Sequence, residues 1–430
     1  MMRFLFTATP LKLMVQSLWR DEAFSYLLAH RPVGQIFALT ARDFNPPFYY
    51  LLLHYWMRWF GSSEISMRTL SLICFWGVIL VAYLFLRRIL KIKPKPAAFY
   101  LLLFVCNPLL QYYAFEARMY SLLAFLASLS CYAFLRRRRL LYLTATVLGL
   151  YTHYFMVLVL LVQLVARLTL RLRRVTVPAA DLFLAVGGFV PWLIFMLSVG
   201  QTQLGAGFWI DKPQLSLILN LPAIIYTGYG FDFPFYRGIF FFTAALIAGL
   251  IWLSRRSRLN RNLKWFLGLW AFLPGLITLL VSFYKPVFLP RYLIFSSVGL
   301  ILLYVALIKN QPRVTQFLVT LALLVATGYY GQLQLKYHTK TDLRAVIKEI
   351  SGIAQPSDLL YVTDPLDFHV AQYYFDANRA MIFGKTYDEL PQYIGKILID
   401  PRQIALDFPT YPVKAFVLQP DLRYDIVSQY

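Results

Sequence analysis

The sequence has few charged residues: Asp, Glu, Lys and Arg make up 14% of its 430 residues. Soluble domains carry about 25% charged residues, so this composition excludes an ordinary soluble globular enzyme. Acidic residues are scarcer than basic ones, with 20 Asp and Glu against 42 Lys and Arg. A net charge of +22 could suggest nucleic-acid binding, and the positions of the basic residues decide whether it does.

Cysteine and histidine form no recognisable pattern. The three cysteines, Cys74, Cys106 and Cys131, all fall within apolar runs, which leaves neither a disulfide framework nor a CxxC metal site. The five histidines are scattered without an HxxxH spacing. Nothing near the start resembles a cleavable secretory signal.

The sequence does contain long apolar runs, and 59% of its residues are hydrophobic. A helix that crosses the bilayer core needs roughly 20 mostly apolar residues, and about 17 can suffice. Two short runs, Leu140–Thr152 and Tyr154–Ala166, flank His153, and a weak run opens the chain at Phe4–Leu18. The clear candidates are Thr69–Leu86, Ala97–Tyr112, Met119–Leu135, Pro178–Ser198, Gly238–Ser254, Trp265–Phe283, Tyr292–Ile308 and Val314–Tyr330.

Basic residues concentrate in five short junctions between these runs, at 87–95, 136–139, 167–174, 255–264 and 309–313. Lys and Arg are enriched in the cytoplasmic loops of membrane proteins. Basic and non-basic loops alternate without a violation if the chain has about eleven transmembrane helices. We therefore predict a multi-pass protein of the cell membrane, with a cytoplasmic N-terminus, an extracytoplasmic C-terminal segment and no nucleic-acid partner.

The last hundred residues differ in composition, with 10 Lys and Arg, 12 Asp and Glu, and no run of membrane-spanning length. Apolar residues recur at helical spacing from Leu343 to Ile353, and Leu359–Thr363 and Val413–Leu418 are typical of short buried strands. The sequence thus predicts an α-helical polytopic membrane domain at 1–330, with a first outer loop at 19–68, and a small extracytoplasmic α/β domain at 331–430.

The first outer loop holds two adjacent acids, Asp21 and Glu22. An aromatic stretch later in the loop, from His54 to Gly61, is typical of a helix that lies in the membrane interface. Acids held at a fixed interfacial site could supply a general base whose pKa is raised by its neighbour. Alternatively, both acids are solvated residues that mark a helix end, and composition alone favours neither interpretation.

Several cations fall at the predicted outer ends of spans, where positive charge is normally sparse. Arg118, Lys285 and Arg291 favour an anion site, because Arg offers a planar fork for phosphate and Lys a compact charge. For Arg58 and Arg68 we favour the simpler interpretation, in which the side chain reaches from lipid to the headgroups.

His153 lies between the two unusually short runs, and short or broken segments often line a polar cavity. A structural histidine that hydrogen-bonds a neighbouring carbonyl explains it more simply than a catalytic one.

Six motifs follow one another along the membrane portion and its first outer loop. They are Trp19-Arg20-Asp21-Glu22, Asn45-Pro46-Pro47-Phe48-Tyr49-Tyr50, Glu64 to Arg68, Glu116-Ala117-Arg118-Met119-Tyr120, Thr152-His153-Tyr154 and Pro290-Arg291-Tyr292. Their order resembles that of the family-C-type (GT-C) membrane glycosyltransferases, and the bacterial branch similar to protein O-mannosyltransferases and lipid A aminoarabinose transferases is the nearest in pattern. The resemblance covers the membrane portion and is weaker in the C-terminal domain.

This resemblance implies a mechanism. A polyprenyl-phosphate-linked sugar is the donor, and Asp21 deprotonates an acceptor that attacks the anomeric carbon with inversion, while Glu22 helps to orient donor or acceptor. Arg118, Lys285 and Arg291 hold the leaving phosphate, and because fixed cations can stabilise its charge, no metal or other cofactor is required. The acceptor, whether protein, lipid or glycan, stays open. The second-rank site candidates are Asp43, Asn45, Glu116, His153 and Tyr292.

Two other functions use the same lipid-linked sugars. A transporter or flippase should show repeat symmetry and binding groups near the bilayer midplane, whereas the polar residues here cluster at the outer ends of the spans. A surface-polysaccharide polymerase or ligase would be favoured by a long outer loop late in the chain, whereas the longest membrane-domain loop is the first one.

Overall fold

The computed structural model describes residues 9–43, 45–170, 176–199, 210–229 and 236–430 of the chain. By packing, the chain divides into two units. The helical unit comprises Met1–Leu13, Arg68–Ser198 and Ile210–His338, and the mixed unit comprises Met14–Met67, Val199–Trp209 and Thr339–Tyr430. The predicted boundary between membrane and outer parts at residue 330 stays a prediction.

Apolar helices of membrane-spanning length confirm a multi-pass membrane protein. Within the described ranges, six helical segments are long and apolar enough to cross a bilayer, and three shorter apolar helices accompany them. The count of eleven spans stays a prediction. The long segments are Glu64–Arg88, Ala179–Val199, Gly238–Arg256, Arg261–Tyr284, Pro290–Ile308 and Arg313–Tyr337, and the shorter helices are Tyr120–Arg136, Arg139–Leu150 and Met156–Thr169.

Some of these segments contain a break, and shorter helices lie between them. The segment Ala179–Val199 consists of the helices Ala179–Gly187 and Val190–Val199. Pro290–Ile308 begins with a 3₁₀ turn, Pro290–Leu293, and continues as the α-helix Ile294–Ile308. Two short helices, Leu215–Leu219 and Leu221–Thr227, precede the helix Tyr236–Arg256.

The predicted run Ala97–Tyr112 is a bent pair of helices, Pro94–Val105 and Pro108–Ala114, and the bend is 70°. Asn107 and Pro108 together make the break. Pro108 disfavours helical backbone at the residue before it, and the Asn107 side-chain oxygen accepts a hydrogen bond from the Leu110 N–H at 3.1 Å and so caps the second helix. Its amide also donates to the Tyr226 carbonyl at 2.7 Å. The expectation of one continuous helix here is therefore wrong.

The core of the helical unit is the helix Ile294–Ile308, all of whose residues are buried. It packs against the helix Arg261–Tyr284. Gly299 allows this close approach, since a Cβ atom there would lie 2.8 Å from Cγ of Trp270. Small residues at helix contacts are the usual means by which membrane helices pack tightly.

The region around His153 folds as two helices, Arg139–Leu150 and Met156–Thr169, with His153 in the turn between them. This confirms the prediction of two short runs rather than one span. The weak opening run Phe4–Leu18 lies partly outside the described residues, and its described part contains the short helix Lys12–Val15.

The mixed unit contains a five-stranded sheet. Its strands are β1 Leu359–Val362, β2 Ala380–Phe383, β3 Ile404–Ala405, β4 Ala415–Leu418 and β5 Tyr424–Val427. They are ordered β3-β2-β1-β4-β5, and neighbouring strands are parallel except for the antiparallel pair β4–β5. The predicted strands correspond to β1 and β4, which confirms a small α/β fold in this part of the chain.

Helices from two distant parts of the sequence belong to this unit. The C-terminal segment contributes Leu343–Ile353 and Phe368–Tyr374, and the first loop contributes Arg20–Ala29, Val33–Ala41 and Phe48–Phe60. The helix Phe368–Tyr374 packs directly against Arg20–Ala29. The helix that carries Asp21 and Glu22 is thereby fixed to the C-terminal domain.

Candidate functional site

Glu22 is buried, and two of its contacts are with Trp19 and Lys340. Its Oε2 accepts a hydrogen bond from the Trp19 N–H at 2.8 Å, which caps the helix Arg20–Ala29, and another from Lys340 Nζ at 2.7 Å. The Lys340 side chain is only 3% exposed, so water does not screen the ion pair. These contacts give Glu22 a structural role that the sequence did not reveal.

Arg20 attaches the same helix to the sheet. Its Nε donates to Asp367 at 2.9 Å, and a second guanidinium nitrogen donates to Asp364 at 3.0 Å. Both carboxylates follow β1, at the carboxyl end of that strand. The start of the helix is thus held by Glu22 and Arg20, on either side of Asp21.

Asp21 lies half-buried in the first turn of the helix, and its backbone carbonyl accepts a hydrogen bond from Ser25 Oγ at 2.9 Å. Successive helical residues are about 100° apart, so its side chain leaves the helix in a different direction from that of Glu22. Lys340 balances the charge of Glu22. Asp21 is the better placed of the two acids for proton transfer.

Glu64 shows the same kind of long-range pairing. Its Oε1 accepts hydrogen bonds from the Tyr374 hydroxyl at 2.8 Å and from Arg344 at 3.2 Å. Arg344 also donates to the Val15 carbonyl at 3.0 Å, and the Tyr374 hydroxyl accepts from the Leu18 N–H at 2.9 Å. The residues before Asp21 are therefore positioned by side chains from the C-terminal segment.

In the helical unit, Arg118 and Arg291 converge on one aromatic ring. Their guanidinium carbons lie 5.8 and 5.7 Å from the ring centroid of Tyr120. Arg291 is also 5.7 Å from the ring of Tyr292, and Arg118 is only 6% exposed. We call Arg118 and Arg291 the arginine pair. Both positive charges lie next to the same ring, so each would stabilise an anion bound beside it.

His153 belongs to the surroundings of the arginine pair. Its ring centroid is 5.0 Å from that of Tyr292 and 6.0 Å from that of Tyr120. Burial, followed by the charges of Arg118 and Arg291, lowers the pKa of His153 to about 3. The imidazole is therefore neutral near pH 7. Because its Nδ1 accepts a hydrogen bond from the Phe155 N–H at 3.1 Å, the ring proton is on Nε2.

No protein-family model matches the chain, and no curated protein matches it in sequence. Solved structures do match it in fold, and two of them are structures of one protein. ArnT from Cupriavidus metallidurans in the apo state has a TM-score of 0.64 at 15% identity, over 96% of this chain and 90% of that one. The same protein bound to undecaprenyl phosphate has a TM-score of 0.64 at 16% identity, over 98% and 93%.

The chain has the GT-C fold. This confirms the fold class predicted from the order of the motifs. At this level of identity, this chain and ArnT share the arrangement of helices and sheet. The roles of the site residues therefore depend on the contacts of this chain's own residues.

The other site residues predicted from the sequence are divided between the helical unit and the mixed unit. Glu116 is buried, and its carbonyl accepts a hydrogen bond from the Arg118 N–H at 2.7 Å, so it shapes the segment that carries Arg118. Lys285 is half-buried directly after the helix Arg261–Tyr284, at the start of the segment that leads to Arg291. Its place beside the arginine pair stays a prediction.

Two other second-rank candidates, Asp43 and Asn45, lie in the mixed unit with Asp21. Asp43 is buried just beyond the helix Val33–Ala41, and its N–H donates to the Thr40 carbonyl at 3.2 Å. Asn45 is half-buried. The structure thus places both in the same packing unit as the candidate base.

Sequence reasoning missed Lys340 and Arg344, which hold Glu22 and Glu64. Both follow the last predicted span on its outer side, where the positive-inside pattern makes cations sparse. That position was a usable signal, the same one that singled out Arg118 and Arg291.

Proposed function

We propose that the chain is a glycosyltransferase that moves a sugar from a polyprenyl-phosphate donor to an acceptor at the outer face of the membrane. The observation that carries this proposal is the arginine pair on Tyr120, in a chain with the GT-C fold. ArnT with this fold binds undecaprenyl phosphate, which is a lipid phosphate of the kind that two guanidinium groups recognise.

Asp21 acts as the general base. Its carboxylate takes a proton from the acceptor hydroxyl or amine as the acceptor atom bonds to the anomeric carbon of the sugar. The bond between that carbon and the phosphate oxygen breaks, its electron pair stays on the lipid phosphate, and the configuration inverts. Glu22 and Arg20 contribute by holding the helix on which Asp21 stands.

The arginine pair stabilises the negative charge that develops on the leaving phosphate, with Lys285 as a third cation. Such fixed charges are worth most where water is excluded, because they need no reorganisation as the charge develops. Neutral His153 donates a hydrogen bond from Nε2 to the same phosphate. Tyr120 and Tyr292 hold the guanidinium planes through cation–π contacts.

The role of Asp21 is tested with Asp21→Asn in membranes supplied with a polyprenyl-phosphate-linked sugar, by measuring the release of polyprenyl phosphate. Loss of a general base lowers the rate about 10²- to 10⁴-fold. Asp425→Asn, at an exposed position of β5, is the matched control and should leave the rate unchanged. Unaltered release in a folded Asp21→Asn protein would rule out the general-base role.

The phosphate site is tested by donor binding to the purified protein. Arg291→Ala should weaken binding of a polyprenyl-phosphate sugar roughly 10- to 100-fold, the loss expected for a hydrogen bond between charged groups. Arg258→Ala, which removes an exposed arginine from a basic junction, should not. If the unaltered protein releases no polyprenyl phosphate while donor moves between leaflets, a flippase explains the chain better.

A further inference from the structure

A cleft of about 790 Å³ lies within the mixed unit, distinct from the groups assigned to transfer. It is formed by the last turn of the helix Arg20–Ala29 with the residues after it, and by the segments that precede β2 and β3. Its size is that of a site for a ligand of several rings.

The chemistry of the cleft is polar and aromatic. Tyr26 and Tyr373 meet edge to face, with ring centroids 4.7 Å apart, and offer aromatic surface. Amide groups come from Asn378 and Gln403. Aromatic faces beside amide and charged hydrogen-bonding groups suit ligands that combine C–H surfaces with many hydroxyls.

The charges of the lining cancel. Arg31 and Arg402 are matched by Asp376 and Asp400. Arg402 forms a two-point contact with Asp400, with its closest nitrogen 2.7 Å from the carboxylate. A lining without net charge gives no preference for phosphate or any other anion, in contrast to the arginine pair.

Several groups in the cleft are fixed before any ligand arrives. The Gln403 amide donates to the Ala377 carbonyl at 2.7 Å, and the Tyr373 hydroxyl donates to the Ser62 carbonyl at 2.9 Å. Asp376 accepts the Asn378 N–H at 2.7 Å. Preorganised groups of this kind lower the entropic cost of binding.

We infer that this cleft binds an uncharged saccharide, as the acceptor of the sugar. The inference rests on the proposed function, because it names the class of acceptor. The helix Arg20–Ala29 carries both places: Asp21 lies in its first turn, and Tyr26 is about 7.5 Å further along its axis and about 140° round it. A glycan chain bound in the cleft therefore has to extend along and around this helix to bring a terminal hydroxyl to Asp21.

The test is equilibrium binding of maltotetraose, cellotetraose and mannotetraose to the full-length protein in lipid nanodiscs, without donor. At least one of them should bind saturably, and Arg402→Ala should weaken it roughly 3- to 10-fold, the range for loss of one hydrogen bond. Asn378→Ala, which removes an exposed amide from the cleft, should have an effect of similar size.

The chain provides a closely matched control in Arg423→Ala. Arg423 is 88% exposed and pairs with Asp421, as Arg402 is 89% exposed and pairs with Asp400, but Arg423 lies outside the cleft. The proposal fails if none of the three saccharides binds, if Arg423→Ala weakens binding as much as Arg402→Ala, or if mannose 6-phosphate displaces the bound saccharide more effectively than mannose. Because no donor is present, these results do not depend on whether Asp21 is the base.

Discussion

At the scale of single residues, the two adjacent acids have different surroundings. Glu22 is sealed from water against Lys340, whereas Asp21 is half-buried on the same turn. Glu22 is engaged in the ion pair and in capping its own helix. The environment therefore separates a structural acid from a candidate base.

Breaking the Glu22–Lys340 pair should destabilise the mixed unit. Lys340→Met leaves a buried carboxylate without its cation, which costs about 3–5 kcal/mol. In the double variant Glu22→Gln/Lys340→Met, much of that loss should be recovered, because Gln can still accept from the Trp19 N–H. Hydrogen exchange across residues 339–430 measures the effect. Lys348→Met, at an exposed position, is the control. If Lys348→Met destabilised the unit as much as Lys340→Met, the stabilising role of the buried ion pair would be contradicted.

The stability of the mixed unit should fall in acid because of His369. Burial lowers the pKa of His369 below its ordinary value of 6.5, although hydrogen bonds to Gln372 and Gly395 partly oppose the shift. Below pH 6.5 the unfolded chain takes up a proton that the folded chain does not, so stability is complete above that pH and declines below it.

Melting temperatures of His369→Gln and the unaltered protein at about pH 5 and about pH 8 test this pH dependence. The unaltered protein should lose more stability at the lower pH than the variant does. His30→Gln, at an exposed position, should behave like the unaltered protein. Equal losses in all three proteins would exclude His369 as the source.

At the scale of elements, apolar patterning predicted the helix Leu343–Ile353, β1 and β4, because each buries one continuous set of apolar residues. It did not predict the break at Asn107. Hydropathy averages over a window, whereas the break depends on Pro108 and on the Asn107 side chain, which caps the second helix and bonds to the Tyr226 carbonyl. Window averages cannot register a partner that is distant in sequence.

The contact between the helices Arg261–Tyr284 and Ile294–Ile308 should be sensitive to one added methyl group. In Gly299→Ala the new Cβ would meet Trp270 at 2.8 Å, and overpacking of this kind costs about 1–3 kcal/mol. Gly328→Ala is the control, since nothing lies within 4 Å of its added Cβ. Thermal unfolding in detergent should separate the two variants, and equal melting temperatures would mean that the helices can move apart freely.

At the scale of the whole molecule, the charge pattern predicts which side of the membrane each segment occupies. A tag after Tyr430 should be accessible from outside intact cells, and one in the basic segment after Arg256 should not. The reason is that the basic junctions mark the cytoplasmic side. Accessibility labelling measures both tags, and the opposite result for either would require a different number of spans.

Sequence order predicted the GT-C fold because the motifs of the membrane part occur in the expected succession. It did not predict that the first loop and the C-terminal segment share one packing unit. The contacts responsible join Glu22 with Lys340 and Glu64 with Arg344. The position of the two cations marks them as unusual for an outer loop, but only the three-dimensional arrangement shows their partners.

The Glu22–Lys340 contact also has a consequence for biosynthesis. Its two members are 318 residues apart, so the first loop is made long before its partner exists. At synthesis rates of about 5 to 20 residues per second, the helix that carries Asp21 waits roughly 15 to 60 seconds for Lys340 to leave the ribosome. During that interval Glu22 lacks its contact with Lys340, and the mixed unit completes its folding only after the last membrane helix has been made.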